Sequence, residues 1–149
     1  KTSLLVTYQG GRFPYSEIPE LIDVYNTELW RGDTRIHLSL WDTDSSSAHD
    51  VMRSLAYPDA DVIIICYSTI DNKSGYSVEK KWWPEVYYKS TAPIILVGTN
   101  IDRRINLAYD EPRFTTEQGS QLAARIGAKH FVECSALSQQ GIEDVLNAA

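Results

Sequence analysis

The sequence predicts an α/β domain, a mostly parallel sheet with helices on both faces. Three observations predict it. Asp61-Val-Ile-Ile-Ile-Cys-Tyr-Ser68, Ile94-Ile-Leu-Val97 and Phe131-Val-Glu-Cys134 are short apolar runs, the mark of strands covered on both faces. Segments of helical pattern separate them, as parallel strands joined by crossovers require. Upstream, Ile36, Leu38 and Leu40 alternate with His37, Ser39 and Trp41, the period of two of a strand with two unlike faces.

In chain order, Lys1-Thr-Ser-Leu-Leu-Val6 opens an amphipathic helix that Gly10-Gly11 ends. Two prolines deny helix to the stretch from Phe13 to Pro19. Leu21 to Leu29 and Thr34 to Trp41 read as antiparallel strands around the turn Arg31-Gly32-Asp33. Asp42 ends the second strand, and Thr43-Asp-Ser-Ser-Ser47 has the composition of a loop. Ala48 to Ala56 forms a short helix that Pro58 closes. Asp71 to Gly75 reads as loop, and Val78 to Tyr88 as a helix kinked at Pro84. Arg103 to Arg113 reads as an irregular insertion. Thr115-Thr-Glu-Gln118 has capping-box spacing at the start of a helix that Gly127 ends, and a final helix begins near Gly141.

Composition narrows the function classes. The net charge of -6 over 149 residues argues against nucleic acid or an anionic membrane as the main partner. The longest apolar run, Val62 to Tyr67, is far too short to span a bilayer. Cys66 and Cys134 lie apart inside apolar runs and read as reduced, buried thiols of a cytoplasmic protein. No two of the three histidines share ligand spacing, so zinc is not expected. Lys80-Lys-Trp-Trp83 with Tyr87-Tyr88 reads as a packed helix with a solvated edge rather than a stacking platform for bases. The chain opens at Lys1 without a methionine and stops in mid-pattern, so it reads as one domain, 1–149, incomplete at both ends.

The chemistry gathers at strand ends. Asp42 is a carboxylate at the end of a sheet strand, where α/β folds place phosphate and metal chemistry. Lys1-Thr2 before a helix matches the tail of the phosphate-binding pattern G-x-x-x-x-G-K-[ST]. Lysine reaches phosphate oxygens, a hydroxyl ligates Mg²⁺, and the strand-end carboxylate holds that ion through water.

Lys1-Thr-Ser-Leu-Leu5, Phe13-Pro14, Ile18-Pro19, Trp41-Asp-Thr43, Leu55-Ala-Tyr-Pro-Asp-Ala-Asp61, Trp83-Pro-Glu-Val86, Pro93-Ile-Ile-Leu-Val-Gly-Thr99, Asp102 and Glu133-Cys-Ser-Ala-Leu137 stand in one order. Together they resemble a Rho-family small GTPase, closest to the Rac branch, over essentially the whole chain. The resemblance implies the P-loop NTPase small-GTPase fold, with its first strand and most of the P-loop missing. That strand would lie mid-sheet, between Thr34–Trp41 and Asp61–Ser68. Its loss should leave a gap or unmatched ladders and an unstable fragment.

The resemblance also assigns roles. It gives Lys1 the phosphates and a catalytic position, Thr2 and Asp42 the Mg²⁺, and Ser3 a backbone N–H to the α-phosphate. Phe13 packs on the guanine, Asp102 accepts from its edge, and the Ser135-Ala136-Leu137 loop reads the base carbonyl. Thr99-Asn100-Ile101-Asp102 resembles [NT]-K-x-D, with Asn100 in place of the lysine whose stem covers one face of the base. The switch I threonine falls on Glu20 and its preceding tyrosine on Glu17. D-T-A-G-Q becomes Asp42-Thr43-Asp44-Ser45-Ser46. Ser45 thus stands for the glycine that meets the γ-phosphate, and Ser46 for the water-positioning glutamine at a catalytic position. Ser46 is too short for that task, so hydrolysis should be weak. Glu17, Glu20 and Asp44 make a triphosphate less welcome, at on the order of several kcal/mol for each like-charge contact near ~4 Å. Glu20 could offset part of this as a metal ligand.

The function implied is GTP/GDP binding with Mg²⁺ and signalling through effector, exchange-factor and GAP-type proteins. Ile18 to Tyr25 and Val51 to Tyr57 match their binding faces. Membrane association would need a lipidated tail beyond residue 149. The rival is a pseudo-GTPase, an interaction module without nucleotide dependence. A receiver with Asp42 as phosphoacceptor needs a lysine where Thr99-Asn100 stands.

Overall fold

A computed structural model describes residues 1–15, 23–106 and 113–149. Three parallel strands form the centre: β3 (Ile63–Ser68), β4 (Ile94–Thr99) and β5 (His130–Glu133), in the order β3-β4-β5. Ile63 pairs with Ile94 through to Ser68 with Thr99, and Ile95 with His130 through to Gly98 with Glu133. β1 (Asp23–Arg31) and β2 (Thr34–Asp42) make an antiparallel hairpin around Gly32-Asp33, in register from Arg31 with Thr34 to Asp23 with Asp42. The strand-pair reading holds; the first two residues of the expected strand, Leu21 and Ile22, lie outside the described residues. Among the described residues the hairpin and the three-stranded sheet share no ladder, so β2 pairs there only with β1 and β3 only with β4.

Side-chain alternation splits the central sheet between two cores. Ile63, Ile65 and Tyr67 of β3 and Leu96 of β4 face α6 (Thr116–Ile126) through Leu122, Ala123 and Ile126. Ile95 and Val97 of β4 face the other way, onto Leu4 and Leu5 of α1 (Thr2–Gly10) and Val145 and Leu146 of α7 (Ile142–Ala148). Val97 and Leu96 are fully buried on opposite faces, which is why this run needs no polar residue. The hairpin joins the second core by its inner face, where Tyr25, Leu38 and Leu40 pack beneath α1.

Helix ends follow the sequence signals where those are strong. The Thr115 hydroxyl accepts from Gln118 N–H at 3.1 Å, and Gln118 Oε1 accepts from Thr115 N–H at 2.8 Å, a complete capping box. Gly11 and Gly127 close α1 and α6 in the left-handed region, at φ 65° and 68°. α6 lies close on the sheet because Gly119 has no side chain: a Cβ there would come within 2.3 Å of Tyr67 Oη.

Four expectations are corrected. Asp71 to Gly75 is not loop; Asp71 caps α3 (Asn72–Ser77) by accepting from Lys73 N–H at 2.9 Å. Val78 to Tyr88 is not one kinked helix, but a π-helical turn (Val78–Trp82) followed by α4 (Trp83–Tyr87), with Pro84 in the first turn of α4. The proline's missing N–H falls where a helix start needs none. Ala48 to Ala56 divides into a 3₁₀ turn (Ser47–His49) and α2 (Asp50–Leu55). Arg103 to Ile105, expected irregular, belong to α5 (Ile101–Ile105), while residues 107–112 lie outside the described residues. No helix among the described residues is long and apolar enough to cross a membrane.

Candidate functional site

Asp42 closes β2 and is only 3% exposed. One carboxylate oxygen, Oδ1, accepts from the Lys1 ammonium at 2.7 Å, and the same ammonium also donates to the Thr43 carbonyl. The other, Oδ2, is buried with no hydrogen-bond partner. An orphaned carboxylate oxygen on an Asp that Lys1 holds, with the partly buried, hydroxyl-bearing Thr2 next to Lys1 in the chain, supplies hard donors of the kind that Mg²⁺ takes. No cluster of three or more His, Cys, Asp or Glu offers a metal cage among the described residues. Burial pushes the Cys66 thiol of β3 up, with the nearby charge of Lys1 opposing the shift and that of Asp42 adding to it.

A second group sits beyond β4 and β5. Ser135, fully buried, donates from Oγ to Asp102 Oδ1 at 2.6 Å and accepts from Ser138 N–H at 3.0 Å. Asp102 lies in the first turn of α5, and Ile101 N–H donates to the Cys134 carbonyl, so two loops are stitched together beneath it. Ala136 is partly buried and Leu137 48% exposed. Gln139 Nε2 reaches across to the Gly11 carbonyl at 3.1 Å, which draws the turn carrying Phe13 beside this loop. Phe13 stands edge-on to Tyr15 with ring centres 5.3 Å apart.

Asn100 adopts φ 66°, and its Oδ1 accepts from Ser68 Oγ at 3.3 Å and lies 3.0 Å from Thr99 Oγ1. Its side chain is therefore committed to the ends of β3 and β4. Arg104 braces the same region through a paired contact with Glu133, one bond being 2.8 Å, and sequence reasoning gave it no role.

The loop after Asp42 is the larger surprise. Asp44 Oδ1 accepts from Ser46 N–H at 3.1 Å, and Asp44 Oδ2 accepts from His49 Nδ1 at 2.6 Å. Ser46 Oγ lies 3.3 Å from that nitrogen. The His49 bond first, then the Ser46 side chain and N–H, hold the Asp44 carboxyl far below the usual carboxylate range. From the other side Arg53, 2% exposed, donates to the Asp44 carbonyl at 2.7 Å and the Ser46 carbonyl at 3.3 Å. Lys81 donates to the Ser45 carbonyl at 3.4 Å. Asp44, Ser45 and Ser46 are thus held by contacts that their sequence does not announce. Glu17, Glu20 and the Ile18-Pro19 pair lie outside the described residues.

Residues 1–149 match the Ras family. Among the relatives, the Rho-related protein racE of Dictyostelium discoideum is 39% identical over the whole chain and 70% of its own length. The Ras-like GTP-binding protein RhoL of Drosophila melanogaster is 35% identical over the whole chain and 78% of its own length. The chain belongs to the Ras family, as a Rho-like small GTPase.

Proposed function

We propose that residues 1–149, as a single cytoplasmic domain, bind GDP and GTP with Mg²⁺ and signal by engaging effector, exchange-factor and GAP-type proteins. The observation that carries this reading is Asp42: a nearly buried carboxylate with one oxygen on Lys1 and the other unpartnered, in a chain of this family. Lys1 supplies the cation for the phosphates, Ser3 a backbone N–H, and Thr2 and Asp42 the donors for the ion. When bound, Mg²⁺ supplies neutralisation of phosphate charge.

Phe13 packs against the base, and Asp102 accepts from the guanine edge. The Ser135 hydroxyl fixes which way that carboxylate points. Ala136 and Leu137 offer backbone to the base carbonyl. Thr99 shapes the strand end, while Asn100, turned to Ser68, leaves one face of the base uncovered. Hydrolysis is weak, because neither Ser45 nor Ser46 carries a group long enough to orient an attacking water.

Two observations favour a second reading, a pseudo-GTPase interaction module. The Lys1 ammonium is already occupied by Asp42 and the Thr43 carbonyl, and Asn100 offers no stem to the base. Titration with fluorescent GDP and GTP, with Mg²⁺ and with EDTA, separates the two. The nucleotide reading expects binding that EDTA weakens and that unlabelled GDP, but not ADP, displaces. No affinity under any condition overturns it in favour of the interaction module.

A further inference from the structure

We propose that the loop 44–49 is latched to the body of the fold in one conformation, whichever nucleotide the pocket holds, so that α2 keeps its position in every state. This rests on the reading that a nucleotide sits against Asp42, and it adds how that site is regulated.

Three consecutive carbonyls of the loop are captured by cations from elsewhere. Arg53 takes those of Asp44 and Ser46, and Lys81 takes that of Ser45. Both cations are themselves held. Arg53 donates to Glu85 Oε1 at 2.8 Å and Oε2 at 3.0 Å and contacts Asp50, with its guanidinium 5.0 Å above the Trp82 ring. Lys81 lies 4.3 Å from the centre of the same ring, so Trp82 is flanked by both. On the loop's own side, the Asp44 carboxylate occupies Ser46 N–H and His49 Nδ1. The Ser46 N–H is spent on that carboxylate, so the backbone around Ser45 is folded onto the Asp44 side chain. Swinging the loop away would strip a buried guanidinium of two carbonyl acceptors, leaving its N–H groups unpaired away from water.

The latch therefore ties residues 44–46 to the body of the fold, while the Asp44–His49 bond keeps the loop folded on itself. α2 begins directly after the loop, and its exposed Val51, Met52 and Leu55 are presented the same way in all states.

Hydrogen exchange of amides 45–53 tests this, on protein stripped with EDTA, loaded with GDP, and loaded with a GTP analogue whose β–γ bridge resists hydrolysis. The expected result is protection that agrees within about twofold across the three, with Lys81→Ala and Asp44→Ala each raising exchange about tenfold while β4 amides stay unchanged. Lys81 and Asp44 lie toward the surface, and the β4 amides report any loss of fold. A difference above about tenfold between the GDP and analogue forms, or no response to either substitution, overturns the latch. If the protein takes up no nucleotide, the nucleotide reading fails on its own. The latch is then judged on stripped protein against the two variants.

Discussion

Arg53 and Glu85 meet across 32 positions of chain: Arg53 Nε and Nη2 donate to the two Glu85 carboxylate oxygens at 2.8 and 3.0 Å. Tyr57 Oη donates to Glu85 Oε1 at 2.7 Å, so one carboxylate joins α2, the turn after it and α4. Removing one partner strands the other in a nearly dry site. Arg53→Met should cost about 3–5 kcal/mol of unfolding free energy, the range for breaking a buried pair. Urea denaturation measures it, and a loss under about 1 kcal/mol would place this pair with exposed surface bridges instead.

The same carboxylate gives the fold an acid limit. The Arg53 guanidinium holds the Glu85 carboxyl below its ordinary value of 4.5, outweighing an opposite push from burial, and the Tyr57 hydroxyl adds to the lowering. The folded protein then binds fewer protons here than the unfolded chain. Stability from this group is complete above the ordinary value and drains away as pH falls below it, toward the folded-state value. Glu85→Gln should flatten the fall in stability between about pH 5 and pH 3, whatever its cost at neutral pH. Melting temperatures across that window check it, and an unchanged slope would assign acid sensitivity to other carboxylates.

Base selectivity should reside in Asp102. Its Oδ1 is oriented by Ser135 Oγ at 2.6 Å, and in the proposed site a carboxylate so held would accept from two neighbouring N–H groups of guanine. Asp102→Asn keeps the shape but turns one acceptor into a donor. GDP affinity should fall about tenfold to a hundredfold, the weight of a charge-assisted hydrogen bond. Xanthosine diphosphate, which offers a carbonyl where guanine carries its amino group, should lose less or gain. Competition against a fluorescent nucleotide reads both, and equal loss for the two bases would count against Asp102 as the reader.

What was legible in the sequence follows from how local each signal is. The Ile94 run could only be a doubly covered strand, and Thr115 with Gln118 at capping-box spacing could only open a helix. Asn72-Lys-Ser-Gly-Tyr-Ser77 has poor helix propensity, and its helix forms because Asp71 caps it and Gly75 packs under the Phe114 ring. That ring arrives from 39 positions later in the chain, out of reach of any window. The site divides likewise. Lys1, Asp42, Asp102 and Ser135 lie in motifs that carry a chemical role, whereas Arg53, Lys81 and Glu85 lie in segments that assign them none and acquire their roles from the packing of α2 against the π turn and α4. Asp44, read as a charge aimed at phosphate, is instead paired with His49 and the Ser46 N–H.

That pairing sets the outcome of the obvious repair to hydrolysis. Ser46→Gln restores an amide of the right length at the position after Ser45. The loop that carries it stays tied by Arg53, Lys81 and the Asp44 carboxylate, so the new amide has no freedom to reach an attacking water. The single substitution should therefore change hydrolysis of bound GTP by less than about threefold, since the catalytic gain depends on placement within an ångström. Adding Asp44→Ala releases Ser46 N–H and His49. The Arg53 and Lys81 bonds to the loop carbonyls survive that change, so the double variant should hydrolyse faster than Ser46→Gln by only about tenfold. Single-turnover phosphate release, started with Mg²⁺ on preloaded protein, measures both. A full gain from Ser46→Gln alone would mean that the loop was free to move, and a double variant no faster than the single one would mean that Asp44 was not what held it.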